Sequence, residues 1–136
     1  MNKRILVVDD QPAIVELIQE ILQSAEYRVE TSLNGACLQH MGDDPPDLIL
    51  LDILLGGEDG RALCQRLKEH EQTRHIPIIL MSAHLVGQHD IEACQADAFL
   101  VKPFRVSTLL DLVSSWIAQE ERKSGSLFHS FSNDAL

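Results

Sequence analysis

An α/β fold is predicted, a doubly wound five-stranded parallel sheet with helices on both faces, because short apolar runs alternate with helical patterns. Ile5-Leu6-Val7-Val8 stops at Asp9-Asp10, and Leu48-Ile49-Leu50-Leu51 stops at Asp52. Ile76-Pro77-Ile78-Ile79-Leu80-Met81 stops at Ser82, and Phe99-Leu100-Val101 stops at Lys102-Pro103. Unbroken apolar runs of this length are the signature of strands buried on both faces. Parallel neighbours need crossover connections, which are right-handed and place helices on the sheet faces. The expected strand order is 2-1-3-4-5, although the sequence alone leaves other orders open.

The elements follow in turn. Pro12 suits a first helical turn, and Ile14, Leu17, Ile18, Ile21, Leu22 and Ala25 recur at helical spacing, predicting a helix over residues 13–25. Residues 28–32 read as a short strand closed by Asn34-Gly35, and residues 36–41 as a short helix. Gly42-Asp43-Asp44-Pro45-Pro46 is a loop signal. Residues 47–51 form the central strand, and Gly56-Gly57-Glu58-Asp59-Gly60 a flexible turn before a helix over 61–69. Residues 76–81 are the next strand, 88–96 a weakly patterned helix, and 98–101 the last strand. A closing helix sets Val106, Leu109, Leu110, Val113, Trp116 and Ile117 on one face. Residues 1–119 thus read as one domain and 120–136 as a mobile C-terminal tail.

Composition narrows the function. The chain has 136 residues, 45% hydrophobic but only 4% aromatic, so the core is expected to be aliphatic. Twenty-one acidic residues against 11 basic ones give a net charge of −10. Phosphate backbones select clustered positive charge, so direct nucleic-acid binding is not expected. Cys37, Cys64 and Cys94 form no CxxC pair or ligand spacing and read as small core residues in a reducing compartment. The stretch before Asp9 is too short for a signal peptide, and no apolar run reaches the ~18 residues of a membrane span. A cytoplasmic location without membrane contact is the expectation.

Ligands of open α/β sheets bind outside the carboxyl ends of the strands. That rim would collect Asp9, Asp10, Asp52, Ser82 and Lys102. Adjacent acids after a strand can be helix caps, which would account for Asp10. They equally suit a hard divalent cation that takes oxygen ligands. Three carboxylates so close disfavour full ionisation unless Mg²⁺, Mn²⁺ or an ammonium compensates them, and Lys102 brings one. Ser82 can cap a helix or donate to a phosphoryl oxygen. A cis Lys102-Pro103 bond would suit a loop that aims Lys102 inward.

With these residues in order, the chain resembles the CheY-like receiver domain of two-component response regulators, which has a flavodoxin-like fold. Val8-Asp9-Asp10, Asp47-Leu48-Ile49-Leu50-Leu51-Asp52, Gly60, Ser82-Ala83 and Phe99-Leu100-Val101-Lys102-Pro103-Phe104 carry the resemblance across residues 3–119. It implies a signalling phosphoacceptor, not an enzyme in the usual sense, that assists its own phosphorylation and dephosphorylation. Asp52 would take the phosphoryl group from a histidine kinase phosphohistidine, a phosphotransfer protein or acetyl phosphate. Mg²⁺ (or Mn²⁺) would be ligated by Asp10, Asp52 and the Leu54 backbone carbonyl, with Asp9 holding it through water. Lys102 would pair with the acyl phosphate, Ser82 would bond a phosphoryl oxygen, and Phe99 would be the switch aromatic. Output to a downstream protein target or a self-dimer would pass through the fourth helix, fifth strand and fifth helix (residues 88–96, 99–101 and 107–118).

The chain departs from the family pattern in several places. Gly56 replaces a usual Pro and is expected to loosen the loop presenting the Leu54 carbonyl. Gln95 replaces a common Gly before Ala96-Asp97. Phe99 lacks the hydroxyl of the more usual Tyr. Leu54 and His84 sit where the family's flanking residues govern attack by water, and apolar Leu54 is expected to slow hydrolysis of the phosphorylated state. Two other readings compete. One is a phosphorylation-independent pseudo-receiver acting as an interaction module, against which stand the intact chemical positions. The other is an aspartate-nucleophile phosphohydrolase, which needs a second carboxylate where Leu54 stands.

Overall fold

Each apolar run becomes a strand, and the computed structural model describes residues 2–39, 41, 44–83 and 92–134, with side chains through residue 122. The strands are β1 (Arg4–Val8), β2 (Arg28–Ser32), β3 (Leu48–Asp52), β4 (Ile78–Ser82) and β5 (Ala98–Val101). All pairings between them are parallel, in the order β2-β1-β3-β4-β5, as expected. The register sets Val8 beside Leu51, Leu51 beside Leu80 and Ser82 beside Val101, so the carboxyl ends finish level along one rim.

Alternate residues of the strands divide the core into two layers. Leu6, Val8, Ile49, Leu51, Ile78 and Leu80 face Leu38, Leu63, Cys64, Leu67 and Cys94. Ile5, Val7, Leu48, Leu50, Ile79 and Met81 face Ile18 and Leu22 of α1 (Pro12–Ser24) and Leu109, Val113 and Ile117 of the C-terminal helix (Val106–Asp134). Each aliphatic side chain so buried contributes about 1.5–3 kcal/mol. This is the aliphatic core that composition implies. Cys64 and Cys94 are buried within it, Cys37 lies at its edge, and all three are free thiols. Burial pushes the Cys64 thiol up to about 12, so it behaves as a small apolar residue.

Some boundaries and faces differ from the sequence reading. In α1 the buried stripe is Val15, Ile18 and Leu22, whereas Leu17 stands exposed. Val106 is likewise exposed at the start of the C-terminal helix. The helix expected over 36–41 is a short 3₁₀ turn, Gly35–Gln39. β4 begins at Ile78 because Pro77 has no N–H for the ladder, though its carbonyl accepts from the Ile49 N–H at 3.0 Å. Of the helix expected over 88–96, Glu92, Ala93 and Cys94 are helical, and residues 84–91, including His84, lie outside the described residues. The C-terminal helix passes residue 119 unbroken, so the position where the tail was expected to begin is not a helix end. Among the described residues no helix is long and apolar enough to cross a membrane.

The end of the sheet opposite the rim is clasped by a polar network. Lys68 of α2 (Gly60–Glu69) donates to the Asp97 carboxylate at 2.6 Å and to the Ile76 carbonyl at 2.8 Å. The same Asp97 oxygen accepts from the Ile78 N–H at 2.8 Å. α2, β4 and the entry to β5 are thereby held together, which keeps the strand ends aligned.

Candidate functional site

The rim is built from strand ends that stop on polar side chains. Asp9 and Asp10 follow β1, Asp52 ends β3, Ser82 ends β4 and Lys102 follows β5. One carboxylate oxygen each from Asp9, Asp10 and Asp52 lies within 4.8 Å of the others. Asp9 is fully buried and Asp52 only 5% exposed, while Asp10 is exposed. The Lys102 ammonium sits 2.5 Å from Asp9 Oδ2 and 3.4 Å from Asp52 Oδ2. Three anionic groups therefore face one cation. Hard oxygen donors in this number and spacing fit a divalent ion such as Mg²⁺.

Electrostatics follow from burial. Desolvation raises the Asp52 carboxyl above the usual carboxylate range, and the neighbouring Asp9 charge adds to the rise. Lys102 and a hydrogen bond from the Leu54 backbone N–H oppose it without cancelling it. Asp52 is thus an under-compensated carboxylate at the edge of the core, and added positive charge would stabilise its ionised form.

Neither acid caps α1, whose N-cap is Gln11 and carries no side-chain cap hydrogen bond. Asp9, not Asp10, accepts a backbone N–H at the start of α1, from Gln11 at 3.0 Å. Asp9 also takes the short ion pair with Lys102, so its two oxygens are committed to the fold while exposed Asp10 faces solvent. Lys102 is fixed by backbone as well, its N–H donating to the Ser82 carbonyl at 2.8 Å. The Lys102-Pro103 bond is cis.

Ser82 lies buried on the same rim. Phe99 lies below the rim on β5, opposite Leu80, and packs half-buried against the α2-side core layer. The four charged groups therefore converge, Ser82 joins them along the rim, and Phe99 stands apart beneath it.

The loop after Asp52 corrects one expectation. Leu54–Leu55 pairs antiparallel with Glu58–Asp59, so this segment is a small hairpin and not a loosened loop. Gly56 and Gly57 have φ of +49° and +103°, the two positive values that a type I′ hairpin turn needs. Proline, with φ near −65°, has no place there. The Glu58 carboxylate also accepts from the Gly35 N–H at 3.3 Å, tying the hairpin to the 3₁₀ turn. Leu54 projects into solvent at the rim, 61% exposed.

Gly60 is a site residue whose physical role the sequence does not reveal. A Cβ on it would lie 2.1 Å from the Asp52 carbonyl oxygen and 2.9 Å from the Ile53 Cα. Its N–H donates to the Ile53 carbonyl at 2.7 Å. Only glycine lets α2 start directly against the strand that ends in Asp52. A buried glycine opening a helix after a turn is the signal that points to such a contact.

A family model described as the response regulator receiver domain matches residues 5–114. The chain is 36% identical over 130 residues to the DNA-binding dual master transcriptional regulator RpaA of Synechocystis, covering 93% of this chain and 54% of that protein. It is 43% identical over 107 residues to the response regulator PleD of Caulobacter vibrioides, covering 76% of this chain and 23% of that one. The chain thus spans about half or less of these relatives' length. Among solved structures, the receiver domain of the sensor histidine kinase PA1611 from Pseudomonas aeruginosa has a TM-score of 0.76. It is 30% identical, the match covers 87% of this chain and 99% of that one, and a magnesium ion is coordinated in its active site cleft.

Proposed function

The chain belongs to the response regulator receiver domain family, and from that premise we propose that it is a working phosphoacceptor with Asp52 as the acceptor. The observation that carries this reading is the convergence of Asp9, Asp10 and Asp52 with Lys102 at one rim. An Asp52 carboxylate oxygen attacks phosphorus as the P–N bond of a phosphohistidine breaks, and the histidine leaves with its electron pair. The donor is a sensor histidine kinase or a phosphotransfer protein, and acetyl phosphate serves in vitro.

Mg²⁺ would be held by Asp10, Asp52 and the Leu54 carbonyl, with Asp9 acting through water, and would neutralise charge on the phosphoryl oxygens. The acyl phosphate adds about −1.5 to −2 charge. Lys102 balances part of it from its place beside Asp9 and Asp52, and the Ser82 hydroxyl donates to another oxygen. Transfer of this kind asks mainly for in-line positioning and charge neutralisation. Exposed Leu54 borders the route of hydrolytic water, so Leu54→Asn hastens phosphate release.

Signal output uses Ser82 and Phe99 as switch residues and the face formed by residues 88–96, β5 and the C-terminal helix. In support, a groove of about 780 Å³ runs between β5 and that helix, lined by Phe99, Val101, Phe104, Arg105, Thr108 and Leu112 among others. Moving a 1:99 equilibrium to 99:1 takes about 5.5 kcal/mol. Charge-assisted contacts from Ser82 and Lys102, about 1.5–3 kcal/mol each, supply most of that. The partner is a downstream protein or a second copy, and this acidic chain itself does not touch nucleic acid. Three free cysteines and the kinase partner favour a cytoplasmic setting.

Incubation with acetyl phosphate and Mg²⁺ should add one phosphoryl mass to the intact protein, and Asp52→Ala should abolish the gain. An unmodified wild-type protein, or equal modification of the variant, overturns the assignment.

A further inference from the structure

The short 3₁₀ turn Gly35–Gln39 stands where the doubly wound plan calls for a covering helix. It leaves an open cavity of about 340 Å³ beside α2, on the α2 face of the sheet and away from the acidic rim. The floor is the outer edge of the core layer. Leu38, Leu63 and Leu67 are buried members of that layer, and Met41 packs against it. The rim carries Arg66 and His70 of α2. Residues three and four apart share one helix face, so Leu63, Arg66, Leu67 and His70 form a single stripe with apolar and basic members side by side.

Charge distinguishes this cavity from the rest of the molecule. The chain carries 21 acidic residues and a net charge of −10. Yet no Asp or Glu is among the described residues that line the cavity, and no carboxylate is within ion-pair distance of Arg66 among them. An apolar floor with a guanidinium and an imidazole at its edge matches a molecule with a hydrophobic body and one anionic end.

We propose that this cavity is a binding site for a small amphipathic carboxylate, an alkyl or aryl acid of about eight to ten heavy atoms, as its volume at the low end for ligand pockets implies. The hydrocarbon body covers Leu38, Met41, Leu63 and Leu67. The carboxylate accepts from Arg66, for which a guanidinium fork is well shaped, and from a ring N–H of His70.

The test uses the full chain, ¹⁵N-labelled, titrated with octanoate and in parallel with 1-octanol. Octanoate should bind saturably, with Kd of about 0.1–1 mM for a ligand of this size. Amide shifts should concentrate in residues 35–41 and 60–73. Arg66→Gln should weaken octanoate about tenfold, the value of one charge-assisted contact, and leave octanol unchanged. Arg66→Lys should recover part of the loss. The proposal is overturned if octanol binds as tightly as octanoate, if Arg66→Gln has no effect, if the shifts fall on the groove along β5, or if no saturable shift occurs. Arg66 is exposed at the edge of the cavity, so these variants keep the fold, and matching amide spectra of the free proteins will verify it.

Discussion

Replacing Asp52 by Asn removes one of three carboxylates from a bowl that holds a single cation. At an effective dielectric constant of about 20, two carboxylates no more than 4.8 Å apart repel by at least about 3.5 kcal/mol, and the ammonium at 3.4 Å attracts Asp52 by about 5 kcal/mol. Repulsion from its two carboxylate neighbours thus at least offsets the attraction of Lys102, and desolvation, the largest cause of the raised pKa, adds to it. A carboxylate only 5% exposed loses several kcal/mol of hydration, partly recovered through the Leu54 N–H and Lys102 contacts. Asp52→Asn should therefore stabilise the metal-free protein by about 1–2 kcal/mol, raising Tm by about 3–8 °C in chelator at neutral pH. Because folding raises the Asp52 pKa, the folded state keeps its proton to higher pH than the unfolded state does. The wild-type penalty is therefore absent below the ordinary carboxylate range and grows as pH rises through the raised value. The gap between the two proteins should vanish near pH 4 and open toward neutrality. At 10 mM Mg²⁺ a wild-type site with Kd of about 1 mM gains about 1.4 kcal/mol and closes the gap, while the variant gains little. Thermal unfolding followed by circular dichroism, with chelator and with Mg²⁺, measures all of this. An Asn variant that melts at or below wild type in chelator, or that gains equally from Mg²⁺, refutes the reasoning.

Three further outcomes follow from packing and backbone conformation. Gly60→Ala must push the Asp52 carbonyl and Gly60 apart by about 1 Å, and should lower stability by about 2–3 kcal/mol in urea titrations. Lys68→Met leaves the Asp97 carboxylate, among the described residues, with only its bond from the Ile78 N–H, and should cost about 2–3 kcal/mol by the same measurement. Gln95 holds φ of +65°, where an L side chain is strained, so Gln95→Gly should raise stability by about 0.5–1 kcal/mol.

Gln95, which replaces a common Gly of the family, adopts a left-handed backbone conformation in the turn into β5. Glycine adopts that conformation freely, whereas it carries a conformational cost for the L side chain of Gln95. At Gly56 the outcome is different. Losing the usual Pro and gaining Gly56-Gly57 makes a paired hairpin, and its Glu58 reaches Gly35, a residue 23 positions away in the chain.

Four of the five strands and the charged rim were legible in the sequence, because buried parallel strands are apolar throughout and each one's polar stop marks its carboxyl end, whereas the strand order stayed open until the pairings were seen. Local chemistry was enough for Asp9, Asp10, Asp52, Ser82 and Lys102 to be singled out together. Tertiary structure alone decided how those groups divide the work. Asp9 both pairs with Lys102 and accepts the Gln11 N–H just ahead of α1, because it is the acid that β1 carries into the interior. It also decided which helical residues face the core, since Leu17 and Val106 satisfy a periodic pattern yet stand exposed. The steric need for Gly60 and the open cavity beside α2 likewise depend on how closely two segments approach, a distance that no pattern along a single chain encodes.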